Sequence, residues 1–341
     1  METASMNTSA TNSSFPDLTG KSCYYLDRFQ IFKTGPPNAE YIVNCTLNAI
    51  LSVVAILGNG MILHALRKSA ALRPPSRALL YSLAASDLGV GLVVQPFYVV
   101  YKTAEFMNNH QLYCITGIGF HLSANVFSAV SFLTVTAIAF DRVFALHLKS
   151  RYQTTVSLRR VIIVILAIWA LTGLWVFNWF WNIRIYQVFN ISAVSTCLVV
   201  SSIAYAVLCF KLCQLQKQSL SRWKAEGISP KEAKTMGPFG AYKRSVTTMF
   251  YVYALMLICY VPYLSMFFVI ETTKVTSTKI VILSYTITVL FANSALNPFL
   301  YCWRITEIRK EVFSTLAKFA CRVSENGAIN IQPAVYIREG Q

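Results

Sequence analysis

"YSLAASDLGVGLVV", residues Tyr81–Val94, carries one carboxylate, Asp87, in sequence otherwise compatible with lipid. The nearest other charges are Arg77 and Lys102. A helix needs about 20 apolar residues to cross the hydrocarbon core of a bilayer, and the run Leu79–Tyr101 has that length with Asp87 inside it. An ionised acid is expensive in hydrocarbon, so Asp87 must face a polar interior that supplies partners.

Seven runs of this kind occur: Ile42–Leu66, Leu79–Tyr101, Tyr113–Leu146, Val161–Trp181, Ile185–Leu212, Ser245–Ile270 and Ile280–Tyr301. The 341-residue chain is 55% hydrophobic and only 13% charged, against about 25% charged in a typical soluble domain. The reading is an all-α membrane protein, a bundle of seven transmembrane helices spanning 42–301. The opening "METASMNTSATNSS" has no cationic segment leading into an apolar one, so no cleaved signal peptide is expected.

The net charge of +16 raises the question of nucleic acid, and its placement answers it. Arg67, Lys68, Arg73 and Arg77 lie in the first connector, Lys149, Arg151, Arg159 and Arg160 in the third, and the fifth is basic from Lys211 to Arg244. Connectors two, four and six hold only Lys102, Arg184, Lys274 and Lys279. The positive-inside rule then puts the odd connectors and the C-terminus in the cytoplasm and the N-terminus outside. The basic excess is a topology signal with an attraction to anionic lipid, and no nucleic-acid partner is expected.

This orientation makes residues 1–41 an extracellular tail, with glycosylation sequons at Asn7 and Asn12. Of nine cysteines, only Cys23 and Cys114 fall clearly outside, and that oxidising compartment favours a bond between them over two free thiols. Beyond the bundle, Ile305, Ile308, Val312, Leu316 and Phe319 recur at helical spacing, predicting an amphipathic helix over 302–321 on the inner leaflet. Cys321 at its end is either a palmitoylation site or a buried structural cysteine, and 322–341 reads as a cytoplasmic tail. The polar stretch Gln214–Tyr242, with Gly227, Pro230, Gly237 and Pro238, reads as a flexible loop. Trp169 and Tyr205 are 36 positions apart. Two membrane crossings at ~1.5 Å per residue use nearly all of these, leaving a very short connector near Asn182–Tyr186.

Polar residues interrupt other helices: Asn59 in the first, Ser131 in the third, and Asn293, Ser294 and Asn297 in "FANSALNPFLY". Amide and hydroxyl oxygens around one carboxylate suit a small hard cation and its waters. They equally suit hydrogen bonds that join helices, and the residues alone leave both readings open.

Taken together, "GNGMIL", "SLAASD", "SFLTVTAIAFDRV", Trp169, Tyr205, "CYVP" and "NPFLY" resemble the rhodopsin-like (class A) G-protein-coupled receptors, in order and spacing, across nearly the whole membrane region. The resemblance implies a ligand-activated plasma-membrane receptor that promotes nucleotide exchange on heterotrimeric G proteins. It implies a sodium site at Asp87, Ser131, Asn293 and Asn297, with sodium as a modulator and no other cofactor. It implies an activation switch at Asp141, Arg142, Tyr205, Tyr260, Pro262, Asn297, Pro298 and Tyr301. Pro262 lacks a backbone donor and provides the pivot for outward movement of helix six.

The pattern also breaks. Tyr260 stands where the family usually has tryptophan, Cys197 replaces the helix-five proline, and Met256 replaces a phenylalanine below Tyr260. Tyr242 occupies the place of a glutamate that locks the arginine in many relatives, which implies high ligand-free activity as an alternative. The missing proline and the short, cysteine-free fourth connector resemble the melanocortin, adenosine, cannabinoid and lysophospholipid cluster, the melanocortin branch most. Ala124 replaces the aspartate that binds protonated amines in aminergic receptors, and Phe291 the retinal-binding lysine of opsins. His121, Asn125 and Ser128 on helix three, facing Tyr260, Tyr263 and Phe267 on helix six, form a polar stripe opposite aromatics, suited to a mixed polar and apolar small molecule or a lipid. An enzyme would need grouped ligands, but the four histidines are dispersed. A transporter would need repeats or broken helices.

Overall fold

The computed structural model of the chain describes residues 23, 26, 39–68, 72–148, 151–225 and 238–329. Asn7 and Asn12 lie outside the described residues, as do the side chains of Tyr242, Phe319 and Cys321. Among the described residues, seven helices are long and apolar enough to cross a membrane. They are α1 (Ala39–Lys68), α2 (Pro74–Phe106), α3 (His110–Leu148), α4 (Leu158–Trp181), α5 (Ile183–Ala225), α6 (Pro238–Thr272) and α7 (Ser277–Arg304), and an eighth helix, α8 (Thr306–Ile329), follows.

The bundle is layered around α3, which packs against α2, α4, α5 and α6, while α7 closes the ring between α1 and α6. Packing distances are set by small residues: a Cβ on Gly58 would lie 2.9 Å from the Pro298 ring, so α1 and α7 meet only because that position has none. On Gly89 it would run into the Phe127 ring, which brings α2 close to α3. The first part of α4, Leu158–Trp175, buries no residue fully. It presents Ile163, Leu166 and Leu171 outward, and its anchor is the Trp169 indole donating to Ser82 Oγ at 3.1 Å.

Several boundaries differ from the sequence reading. Helix α2 runs on to Phe106, so Lys102 is a buried helical residue and not part of a connector. Its charge is met one turn along by Glu105, which makes burial affordable there. Helix α2 also contains a π-helical turn, Val90–Val94, closed by the Gln95 N–H reaching back to the Val90 carbonyl. Pro96 follows at once; it has no N–H to continue the regular ladder, and the widened turn absorbs the mismatch. Helix α5 extends to Ala225, deep into the stretch read as a loop, because Gln, Lys, Leu and Arg there are good helix formers. Helix α8 starts at Thr306 and reaches Ile329, past the expected end. Ile305, Ile308 and Val312 are buried in the protein core, and Leu316 is 44% exposed, so the inner part of the apolar stripe packs on the bundle and not on lipid. The fourth connector is short, as the spacing required: after Trp175 come a turn at Val176–Phe177, one helical turn (Asn178–Trp181) and Asn182 before α5 begins at Ile183.

Cys23 and Cys114 form a disulfide with Cα atoms 5.2 Å apart, tying the N-terminal segment to the start of α3. Leu26 is buried beside it, and its carbonyl accepts a 2.8 Å hydrogen bond from the Tyr113 hydroxyl. The bond closes a separation of 91 residues, and cross-links of about this span constrain the unfolded chain by roughly 4–5 kcal/mol. Cys23→Ser and Cys114→Ser should each lower the thermal midpoint of purified protein by a similar amount, and the double variant should add little. A double variant whose loss equals the sum of the singles would show that the cysteines act independently.

Candidate functional site

Three polar assemblies lie along the axis of the bundle. The middle one centres on Asp87, which is fully buried. Ser294 Oγ donates to its Oδ1 at 2.8 Å, Asn297 Nδ2 to its Oδ2 at 2.8 Å, and Ser131 Oγ to Oδ1 at 3.4 Å. Asn59 braces this group from α1, donating to the Ser294 carbonyl at 2.9 Å. Asn293 is buried nearby without a direct bond to Asp87, and its Oδ1 and that of Asn297 have no partner among the described residues. Helices α2, α3 and α7 thus bring together Asp87, Ser131 and Asn297, and Ser294 proves a closer partner than Asn293. Its signal was its place in "FANSALNP", one residue from Asn293.

At one end of α3, Arg142 pairs with Asp141 at 3.2 Å. Asp141 is held from two further sides: the Tyr152 hydroxyl donates to Oδ1 at 2.5 Å and Ser76 Oγ to Oδ2 at 3.3 Å. Burial, then the bond to Asp141, pushes the Tyr152 phenol above its ordinary range, so it stays a donor. The Arg73 guanidinium lies 5.6 Å from the centre of the Tyr152 ring. Neither Tyr152 nor Ser76 was legible as a partner, since Tyr152 sits on a single helical turn in a basic connector. Tyr205 is buried and stacked on Tyr253 at 4.6 Å, and Tyr301 is fully buried; neither hydroxyl has a hydrogen-bond partner among the described residues. Pro262 and Pro298 lie inside α6 and α7.

Towards the disulfide end, a chamber of about 110 Å³ is lined by His121, Asn125, Ser128, Tyr260 and Tyr263. A second, of about 50 Å³, shares His121, Asn125 and Tyr263 with it and adds Phe267. All six residues singled out from the sequence therefore line one or the other of two adjoining chambers. Tyr260 donates to the Ser128 carbonyl at 3.3 Å and packs on Phe132 at 5.5 Å. The His121 ring stacks on Trp179 at 5.4 Å. Asn190 of α5 accepts from the Trp175 indole at 3.1 Å and donates to Asn125 at 3.4 Å. Sequence reasoning missed the α5 wall, Gln187 and Asn190, whose signal was two amides in an otherwise apolar span. It also missed Tyr101 and Lys102 of α2, having read Lys102 as solvent-facing.

A buried carboxylate cluster, an Asp141–Arg142 pair and a walled chamber thus lie along seven helices long and apolar enough to cross a membrane. The model of the 7 transmembrane receptor (rhodopsin family) matches residues 58–301. The chain belongs to that family, the class A G-protein-coupled receptors. It is 31% identical over 134 residues to a rhodopsin of Camponotus atriceps, covering 38% of this chain and 34% of that protein. It is 32% identical over 136 residues to the adenosine receptor A2b of Bos taurus, 40% of each. With the histamine H2 receptor of Cavia porcellus it shares 24% identity over 294 residues, 82% of this chain and 80% of that one. The first two matches thus span well under half the length of those relatives. The crystal structure of squid rhodopsin shares the fold, with a TM-score of 0.70 at 16% identity over 84% of this chain and 88% of that one.

Proposed function

We propose that this protein is a plasma-membrane receptor in which an extracellular ligand, bound in the chamber between α3, α5, α6 and α7, promotes nucleotide exchange on a heterotrimeric G protein. The N-terminus and the disulfide face outward, and Arg142 and α8 face the cytoplasm. The observation that carries this reading is the Arg142 end of the bundle. Arg142 is paired with Asp141, while Tyr205 and Tyr301 keep buried hydroxyls with no hydrogen-bond partner among the described residues. A buried hydroxyl without a partner loses about 1–3 kcal/mol of solvation, so an arrangement that satisfies both is favoured once Arg142 leaves Asp141. Outward movement of α6 about Pro262 opens the space for that exchange and for the G protein. The chamber lies at the other end of the same helices, and a ligand that fits its open form better shifts the balance. The mixed lining, amides and phenols among apolar walls, suits a small molecule with both characters or a lipid.

A sodium ion fits the Asp87 cluster on two observations. The carboxylate is fully buried, and the amide oxygens of Asn293 and Asn297 are without partners among the described residues. Asp87, Ser131, Asn293 and Asn297, with Ser294 beside them, would hold it, and its charge would offset the buried carboxylate. Glycans at Asn7 and Asn12 and a palmitoyl group at Cys321 belong to the same reading.

Three outcomes test this assignment. Arg142→Ala should abolish or greatly reduce nucleotide exchange in membranes while surface expression stays near parental; full exchange would refute the coupling role. For the ion, the thermal midpoint of purified parent should rise in sodium chloride relative to N-methylglucamine chloride, because bound ion adds RT ln(1 + [Na+]/Kd) to the stability. Asp87→Asn should erase the difference, and an undiminished sodium effect would place the ion elsewhere. The second reading, activity without ligand, rests on Tyr242, followed by Lys243 and Arg244 where an acid would restrain Arg142. An added ion pair is worth about 1 kcal/mol, roughly fivefold in population. Tyr242→Glu should therefore lower ligand-free exchange several-fold at matched expression; a silent parent would remove this reading.

A further inference from the structure

The two chambers share His121, Asn125, Gln187 and Tyr263 in their walls, so they are adjoining parts of one pocket region. Its deeper part is walled largely by apolar side chains, among them Ala124, Val194 and Ile287. Its outer part reaches Lys102, which also lines a third space of about 10 Å³ together with Glu40. No aspartate or glutamate lines either part among the described residues, and Lys102 is the one lysine or arginine that does.

Lys102 is only 5% exposed. Its ammonium lies 5.1 Å from the centre of the Tyr101 ring and 5.7 Å from that of Tyr41, whose faces favour a cation. It donates to Glu105 Oε2 at 2.8 Å. Glu105 is also held on its other oxygen, where the Tyr41 hydroxyl donates to Oε1 at 2.5 Å. Glu105 does not line the cavity, whereas Lys102 does. An ammonium has three N–H donors, and one is committed to Glu105. The cavity side of this pair is therefore its cationic side, and water is largely excluded from it.

We infer that the ligand is an amphiphile whose anionic head, a carboxylate or a phosphate, is received at Lys102 while its apolar body fills the deeper chamber. The inference rests on the chamber being the ligand site. A protonated amine would meet the Lys102 ammonium with no acid lining either of these two chambers among the described residues, Glu40 facing only a third, smaller space on the other side of Lys102. A neutral head would forfeit the charge-assisted hydrogen bonds that an anion makes there. Gln187 and Asn125, on the wall between the two parts, are placed for the neutral polar atoms of such a molecule.

Four probes on one phenylalkyl scaffold vary the head group: phenylbutyrate, phenylbutyl phosphate, phenylbutanamide and phenylbutylamine. Each is titrated against the purified full chain, and apparent affinity is read from the rise in thermal midpoint. The anions should bind about tenfold or more tightly than the amide, the margin expected of charge-assisted bonds, and the amine should bind least. The stronger of the two anions identifies the head as carboxylate or phosphate. The paired variant Lys102→Gln with Glu105→Gln removes both charges without stranding a buried acid. It should bring anion and amide to parity, while Lys102→Arg should retain the preference. Equal binding of anion and amide to parent, a preference that survives the paired variant, or no shift with any probe would each overturn the inference. Ala124→Trp, which fills the deeper chamber, separates the two layers of the argument. Loss of every shift upholds both. An anion shift that survives Ala124→Trp but disappears in the paired variant keeps the role of Lys102 and rejects the chamber as the ligand site.

Discussion

The buried carboxylate of Asp87 is the constraint around which the bundle is organised. With no water in the hydrocarbon core, its oxygens must be satisfied by neighbouring helices. Ser131 reaches it from α3 and Ser294 and Asn297 from α7, so one charge fixes the relative rotation of three helices. Asn59 extends the same network to α1 through the Ser294 carbonyl. The close approaches at Gly58 and Gly89 then let these helices come near enough for the hydrogen bonds to form.

The polar groups elsewhere obey the same rule in a graded way. On the disulfide side, Tyr98 donates to Asn44 Oδ1 at 2.9 Å, and Asn44 and Asn48 both donate to Thr288 Oγ1, joining α1, α2 and α7. At the opposite end Asp141 is satisfied by Ser76, Tyr152 and Arg142. Between these ends lie groups left without hydrogen-bond partners among the described residues, the hydroxyls of Tyr205 and Tyr301 and the amide oxygens of Asn293 and Asn297. Unpartnered polar atoms are not confined to the proposed switch, since Asn48 Oδ1 and both side-chain polar atoms of Gln95 also have no hydrogen-bond partner among the described residues.

Much of this architecture was legible in the sequence because membranes impose simple rules. Length and hydropathy located all seven spans, and the spacing of Trp169 and Tyr205 required a very short fourth connector. The Asp87 partners were legible because an amide or hydroxyl stands out in an apolar helix. What was not legible depended on tertiary pairing. Counting cations by loop misplaced Lys102, since only Glu105, Tyr41 and Tyr101 together make its burial tolerable. The α5 extension was hidden by its polar composition, although its helix-forming residues carried a local signal. The stripe of α8 was read correctly as apolar, yet nothing in its period distinguishes a protein neighbour from a lipid one.

Few residues join the regular part of α4, which ends at Trp175, to α5: a turn at Val176–Phe177, one helical turn (Asn178–Trp181) and the extended Asn182. Each residue of an α-helix advances the azimuth by about 100°, so a connector of many residues can absorb a length change that so short a junction cannot. An insertion beside Asn182 would be transmitted to α5 as rotation, turning Gln187 and Asn190 away from the cavity wall they line. It would also part the Trp175–Asn190 bond that spans the junction. The length of this junction is thereby tied to the shape of the cavity, with the Trp175–Asn190 bond as the tie that sets which face of α5 the cavity meets.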